Sequence, residues 1–122
     1  MRVKSVTITV FLSVLIVVKI AHALLKDDVK KGNTLYNNKK YNEAIKSYES
    51  ALTNHPDSGI ANLNYGAALY KKGLPSKAIE SFNRSIASGE TGLIPPADYN
   101  IGNCLYKIGI SQERTNIQKA KE

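Results

Sequence analysis

Glycine recurs at a nearly constant spacing within three similar segments, and this periodicity constrains the fold more than any other feature of the sequence. Gly32, Gly66 and Gly102 are separated by 34 and 36 residues, and each is followed four residues later by a tyrosine. A period of this length is typical of a repeated pair of helices, which buries its apolar face by stacking on a neighbouring pair. The sequence therefore predicts an all-α solenoid of helix-turn-helix repeats.

A second set of small and aromatic residues follows the first two glycines. Ala44 and Ala78 stand twelve residues after them, and the aromatic residues Tyr48 and Phe82 come four residues later. Glycine in a helix interior costs about 1 kcal/mol relative to alanine, so we expect a compensating close contact between helices. The residues predicted to pack the repeats are Gly32, Ala44, Tyr48, Gly66, Ala78, Phe82 and Gly102.

These positions resemble the tetratricopeptide repeat, whose pattern combines Leu-Gly-x₂-Tyr with a later Ala-x₃-Phe at a period of 34 residues. The resemblance implies a domain over residues 24–122, with repeats at about 25–58 and 59–94 and a partial third repeat at 95–122. It also implies a non-enzymatic scaffold that binds a partner protein or peptide in a concave groove lined by the first helices. The groove residues it indicates are Asn33, Tyr36, Asn37, Leu63, Tyr70, Lys71, Tyr99, Asn103, Tyr106 and Lys107.

The sequence departs from the family pattern at several positions. Asn62 and Asp98 stand where the pattern has a tryptophan. Modules of this family that clamp the C-termini of chaperones use basic groove residues, and here Val29, Pro96 and Asn100 occupy those points while only Asn33 and Asn64 agree. The clamp function is therefore not expected.

The third repeat loses the pattern after its turn. Arg114 stands twelve residues after Gly102, and a guanidinium cannot be buried at an alanine position without large cost. We expect the first helix to run to about residue 113, and residues 115–116 to cap a second helix that starts at Ile117 and places Ala120 at the alanine position. We interpret this as a degenerate terminal helix or a chain cut from a longer parent.

The incomplete third repeat leaves an apolar face formed by Ile101, Leu105 and Ile108. About three repeats are needed for independent stability, so we expect a marginally stable chain that self-associates or has this face completed by a partner. One alternative function is therefore an accessory subunit that docks through its open C-terminal helical face. Another is a fragment of a larger protein of this repeat family.

Residues 1–23 have the order of a signal peptide. Two basic residues, Arg2 and Lys4, precede an apolar stretch over residues 6–18, and Ala21 and Ala23 follow it. The run is shorter than the roughly 20 residues of a membrane-spanning helix, and we expect cleavage after Ala23. The alternative is an uncleaved anchor to about residue 25, with Lys19 reaching the interface. Both interpretations export the rest of the chain, to the periplasm or to the periplasmic face of the inner membrane.

Composition excludes several classes of function. The chain has a formal net charge of +7, but its lysines and arginines are interleaved with apolar residues, so we expect no nucleic-acid partner. The single Cys104 excludes an internal disulfide, and we expect it to be a core residue. No cluster of histidine and cysteine is present for a zinc site, and we expect no catalytic residue, cofactor or metal.

The export segment, the Tyr-Asn-Ile-Gly-Asn sequence of the third repeat and the longer Ser-Gly-Glu link before it are similar to periplasmic tetratricopeptide members of bacterial aerotolerance (Bat) operons. That resemblance implies a membrane protein complex containing von Willebrand A-type proteins as the partner. Contact with the membrane itself is expected only through an uncleaved leader.

Overall fold

The computed structural model describes residues 2–121, except that the side chains of residues 2–7, 9, 21 and 22 lie outside the description. Five α-helices follow one another along the chain. They are α1 (Arg2–Asn37), α2 (Tyr41–Asn54), α3 (Gly59–Lys71), α4 (Pro75–Ala87) and α5 (Ile94–Lys119), with a single 3₁₀ turn at Thr91–Leu93 before α5. Each helix packs on the next one, which is the arrangement predicted from the repeat.

Each complete repeat is held together by an aromatic ring seated on a helix glycine. A Cβ added at Gly66 would lie 2.6 Å from Cε1 of Phe82, and one added at Gly32 would lie 2.7 Å from Cδ1 of Tyr48. Real Cβ atoms essentially never come this close to another heavy atom. Because only glycine allows this approach, the ring contact explains why α1 and α3 tolerate a residue that weakens a helix.

Two connected groups of buried side chains form the core. The first lies in repeat one and its junction with α3, and contains Val29, Ala44, Tyr48, Ala51, Ala61 and Ala68. The second lies between α3, α4 and α5, and contains Leu69, Ala78, Phe82, Ala97 and Cys104. The half-buried Ile45 and Tyr65 pack against both groups and join them. The prediction that Cys104 is a core residue is confirmed.

The turns follow local sequence chemistry. Gly73 has φ +79° after α3, a conformation that favours glycine, and Pro75 occupies the first turn of α4, where its missing N–H is not needed. Ser58 caps α3 by accepting a hydrogen bond from the backbone N–H of Ala61 at 3.4 Å. The buried Asn62 replaces the expected tryptophan, and its Nδ2 donates to the carbonyl oxygen of Pro56 at 2.9 Å, which ties α3 to the preceding turn.

The third repeat differs from its prediction. α5 is one continuous helix to Lys119, so the second helix expected to start at Ile117 does not form. Gly102 consequently has nothing within 4 Å of its Cβ position, and the expectation that it packs like Gly32 and Gly66 is wrong. The residues after Ile110 are exposed as far as Lys121.

The segment predicted to be a signal peptide is helical from Arg2 and continues into the first repeat within α1. Its apolar side chains from Leu12 to Ile20 are exposed, and Phe11 is 74% exposed. No helix in the described part of the chain is both long enough and apolar enough to cross a membrane. The predicted cleavage motif includes Ala21, whose side chain lies outside the described residues.

We expect Gly66→Ala to lower the stability of the fold and Gly102→Ala to raise it. The methyl group of the first variant collides with the Phe82 ring, and overpacking of this kind costs about 1–3 kcal/mol. The second variant places its methyl group in open space and gains about 1 kcal/mol of helix propensity. Thermal unfolding of dilute protein, followed by far-UV circular dichroism, compares the midpoints. Equal midpoints for the two variants would contradict the ring-on-glycine packing.

Candidate functional site

A cavity with several polar side chains in its lining lies between α1 and α3. Its volume is about 320 Å³, and its lining comes from two asparagines and a tyrosine of α1, one tyrosine of α2 and the facing turn of α3. The residues are Asn33, Tyr36, Asn37, Tyr48, Asn64 and Ala67. The three α1 residues of this cavity belong to the predicted groove.

Asn33 is the centre of the cavity's hydrogen bonding. Its Oδ1 accepts from the hydroxyl of Tyr48 at 2.7 Å and from Nδ2 of Asn64 at 2.9 Å. Two donors on one carbonyl oxygen fix the plane of the amide, because the group cannot rotate without losing both bonds. The Nδ2 donors of Asn33 are therefore held in one orientation at the surface of the cavity.

A second, larger cavity continues from the first toward the start of the repeat domain. It measures about 510 Å³ and is lined by Leu25, Lys26, Val29, Lys30, Asn33 and Ile60. Asn33 borders both cavities, and Ile60 is 42% exposed. The two cavities thus share Asn33 and follow one another along α1, and together we call them the groove, with polar side chains at one end and apolar residues and two lysines at the other.

The groove residues predicted from the sequence fall into three groups in the structure. Asn33, Tyr36 and Asn37 line the cavity, and the Tyr36 ring also packs edge-on against Tyr41 with ring centres 5.4 Å apart. Farther along, Lys107 of α5 places its Nζ 4.7 Å from the centre of the Tyr70 ring, a distance suited to a cation–π contact.

The remaining predicted groove residues do not line either cavity. Leu63 packs partly buried against the second core group, Lys71 is exposed, and Asn103 is half-buried. Tyr99 and Tyr106 are 72% and 73% exposed on α5. Tyr106, which follows Gly102 by four residues, therefore lacks the neighbours that its counterparts Tyr36 and Tyr70 have.

The predicted groove set does not include Asn64 and Ala67, although Asn64 is one of the two matches to the chaperone clamp. They lie on α3 seven and four residues before Lys71, which is the spacing of one helix face. Extending that face backward from the predicted Lys71 would have found them. The hydrogen bond between Asn64 and Asn33 could not be read from spacing, because it depends on side-chain rotamers.

Burial and hydrogen bonding change the acidity of three groups near the groove. Burial, with a smaller contribution from Tyr36, raises the pKa of Tyr48 to about 12. Burial and the hydrogen bond to Glu49, 2.9 Å away, raise the pKa of Tyr65 to about 12. Burial also raises the pKa of the Cys104 thiol, against the opposing charge of Lys107, so this thiol is not activated as a nucleophile.

Comparison with known proteins agrees with the repeat pattern. The family model described as "Tetratricopeptide repeat" matches residues 29–92. Heat shock protein STI1 of Saccharomyces cerevisiae is 32% identical over 84 residues, which cover 65% of this chain. The chain spans only 14% of the length of that relative.

We expect the fold to lose stability as the pH rises from 10 to 12. In that range the unfolded chain releases the protons of Tyr48 and Tyr65, whereas the folded chain, with both pKa values near 12, retains them. The contribution of these two tyrosines to the free energy of unfolding is therefore fully present below pH 10 and is lost toward pH 12. Urea unfolding at pH 9 and pH 11 measures the change. In the Tyr48→Phe and Tyr65→Phe double variant the free energy of unfolding should depend less on pH. An unchanged pH dependence would show that these two tyrosines do not cause it.

Proposed function

The chain belongs to the tetratricopeptide repeat family, and on that premise we propose that it binds a segment of a partner protein in the groove along α1 and α3. The family is generally a non-enzymatic interaction module, and the chain is accordingly a protein-protein interaction module. The segment enters beside Asn33 and runs over Ala67 toward Tyr70.

The observation that carries this proposal is the fixed amide of Asn33. An unliganded surface asparagine is ordinarily free to rotate, whereas here the buried Tyr48 hydroxyl and Asn64 hold it in place. A preorganised amide can pair with a partner's backbone without losing side-chain freedom on binding. Main-chain recognition of this kind suits an extended or helical peptide.

The charge of the groove supports an acidic partner segment. Lys26 and Lys30 line its apolar cavity, Lys107 lies over the Tyr70 ring, and Lys71 follows Tyr70 at the exposed end of α3. The carboxylate of Asp28 on α1 is turned to α2, where it accepts a hydrogen bond from Ser50 at 2.7 Å. Four lysines along one path speed the encounter with an acidic chain more than they strengthen the final complex.

The location of the module is part of the proposal. The basic start and apolar run of α1 support export, which would place the groove outside the cytoplasmic membrane. The resemblance to the periplasmic members of aerotolerance operons supports a membrane protein complex as the source of the partner segment. The exposed apolar residues of α1 suit either a segment awaiting cleavage or an anchor in the interface.

We expect Asn64→Ala combined with Tyr70→Ala to weaken peptide binding by at least about 30-fold, since loss of central anchors commonly costs about 2 kcal/mol or more. The probe is a 12-residue peptide selected from a random phage-displayed library on the immobilised chain, and its affinity is measured by fluorescence anisotropy. Far-UV circular dichroism checks that the helix content is unchanged.

The matched control is Lys46→Glu combined with Glu80→Lys, because both residues are exposed on the second helices of their repeats. This pair should leave the affinity unchanged. Loss of binding in the control together with full binding in the Asn64 and Tyr70 variant would show that the convex surface is the binding site.

We expect the exported protein to begin at Leu24, because small residues at positions 21 and 23 after a short apolar run fit a signal peptidase. Intact-mass spectrometry of protein recovered from the periplasm of an expressing bacterium measures this directly. Ala23→Leu is the control that should block cleavage. Recovery of the full-length chain from the membrane fraction would support the anchor instead.

A further inference from the structure

The face of α3 that packs on repeat one carries two alanines and one large side chain. Ala61, Tyr65 and Ala68 follow one another at spacings of four and three residues, which places them on one helix face. Both alanines are fully buried in the first core group, and the half-buried Tyr65 packs against that group. Methyl groups offer only low ridges to a neighbouring helix, so the tyrosine is the side chain on this face that can fix the rotation of α3.

The hydroxyl of Tyr65 bonds across the junction between the two complete repeats. It donates a hydrogen bond to Oε1 of Glu49 on α2 at 2.9 Å. Burial and this bond raise the pKa of Tyr65 to about 12, so the hydroxyl keeps its proton and remains a donor at neutral pH.

The residue next to Tyr65 makes the other link to repeat one. Nδ2 of Asn64 donates to Oδ1 of Asn33 on α1 at 2.9 Å, at the surface of the groove. Two adjacent residues of α3 therefore bond to the two different helices of repeat one. Because both belong to one rigid helix, a rotation that moves one of them also moves the other.

The junction between repeats two and three has a different residue at this place. Ile101 precedes Gly102 by one residue, as Tyr65 precedes Gly66, and it packs partly buried against the second core group. An isoleucine side chain has no group that can form a hydrogen bond. The tyrosine that bonds to a neighbouring repeat thus stands at the junction where the Asn33–Asn64 contact of the groove is made.

We propose that Tyr65 is a positioning residue of the groove, and that its hydrogen bond to Glu49 holds α3 at the rotation at which Asn64 meets the Asn33 amide. This inference rests on the proposed function, in which that amide binds the partner segment. Side chains of a helix extend roughly 5–6 Å from its axis, so turning α3 by about 10° moves the Asn64 amide by about 1 Å. A shift of that size takes a contact of 2.9 Å out of hydrogen-bond range.

Tyr65 acts through Asn64 and not by touching the partner segment. It is absent from the lining of both groove cavities. Instead it lines a separate cavity of about 180 Å³ together with residues of α4, among them Lys77 and Arg84. A change at Tyr65 therefore reaches the groove only through the position of α3.

The side-chain amide of Asn64 in the free chain tests the positioning. Its order parameter is measured by nitrogen-15 relaxation of the full chain, in a mild detergent that covers the exposed apolar residues of α1. Tyr65→Phe removes only the hydroxyl and Glu49→Ala removes its acceptor, and each should lower the order parameter into the flexible range, below about 0.6. Glu49→Gln keeps a carbonyl oxygen as acceptor and should retain the order parameter of the unaltered chain.

The affinity of the peptide selected on the immobilised chain is the second measurement. Tyr65→Phe and Glu49→Ala should each raise its dissociation constant about fivefold, the effect of one lost hydrogen bond. The double variant should bind no more weakly than either single variant, because both substitutions remove the same bond. Glu49→Gln should bind like the unaltered chain.

Ser50→Ala is the matched control. It also removes a side-chain hydrogen bond from α2, the one of 2.7 Å to Asp28, but that bond lies within repeat one. The control should lower the unfolding midpoint about as much as Tyr65→Phe, and it should leave the Asn64 amide and the peptide affinity unchanged. Loss of stability is thereby separated from loss of positioning.

An Asn64 amide that stays ordered in Tyr65→Phe overturns the proposal, as does an equal loss of order in Ser50→Ala. The amide is measured without peptide, so this result is distinct from the proposed function. Peptide binding that survives Asn64→Ala combined with Tyr70→Ala contradicts the groove itself, whereas binding lost there with an Asn64 amide indifferent to Tyr65→Phe contradicts the positioning alone.

Discussion

The structure depends on one contact, an aromatic ring that lies directly on a glycine of the preceding helix. It occurs at Gly32 with Tyr48 and at Gly66 with Phe82, and it sets the distance between the two helices of each complete repeat. The buried alanines of α2 and α4 fit around it, because helices this close leave room only for small side chains. Most of the core therefore consists of alanines and two aromatic rings. Close packing of the helices, rather than burial of large aliphatic side chains, stabilises the fold.

The same contact connects packing with the candidate binding surface. Tyr48 places its ring on Gly32 and donates a hydrogen bond from its hydroxyl to Asn33, the next residue of α1. The core of repeat one thus fixes the amide that we propose for partner recognition, and Asn64 of repeat two completes the arrangement. Because residues of two repeats hold the Asn33 amide, its orientation depends on how the repeats stack on each other. A change in that stacking therefore alters partner binding even when the groove residues are unchanged.

The parts of the fold predictable from sequence are those specified by backbone requirements. The glycine period, the alanine and aromatic positions, the Gly73 turn and the Pro75 helix start follow from what glycine, proline and small side chains permit. The terminal helix was mispredicted because nothing between Ile110 and Lys119 forces a break, and a short helix there buries too little to offset a turn. The orientation of Asn33 could not be predicted, since it follows from rotamers of side chains distant in sequence.

The ring-on-glycine account can be tested most directly by the nuclear magnetic resonance shifts of the glycine Hα protons over a range of protein concentration. The account predicts that Gly32 and Gly66 are displaced from the ordinary glycine range by the ring currents of Tyr48 and Phe82 at every concentration. Gly102, which has nothing within 4 Å of its Cβ position, should have an ordinary shift. An ordinary shift for Gly66, or a displaced Gly102 in the dilute monomer, would contradict the account.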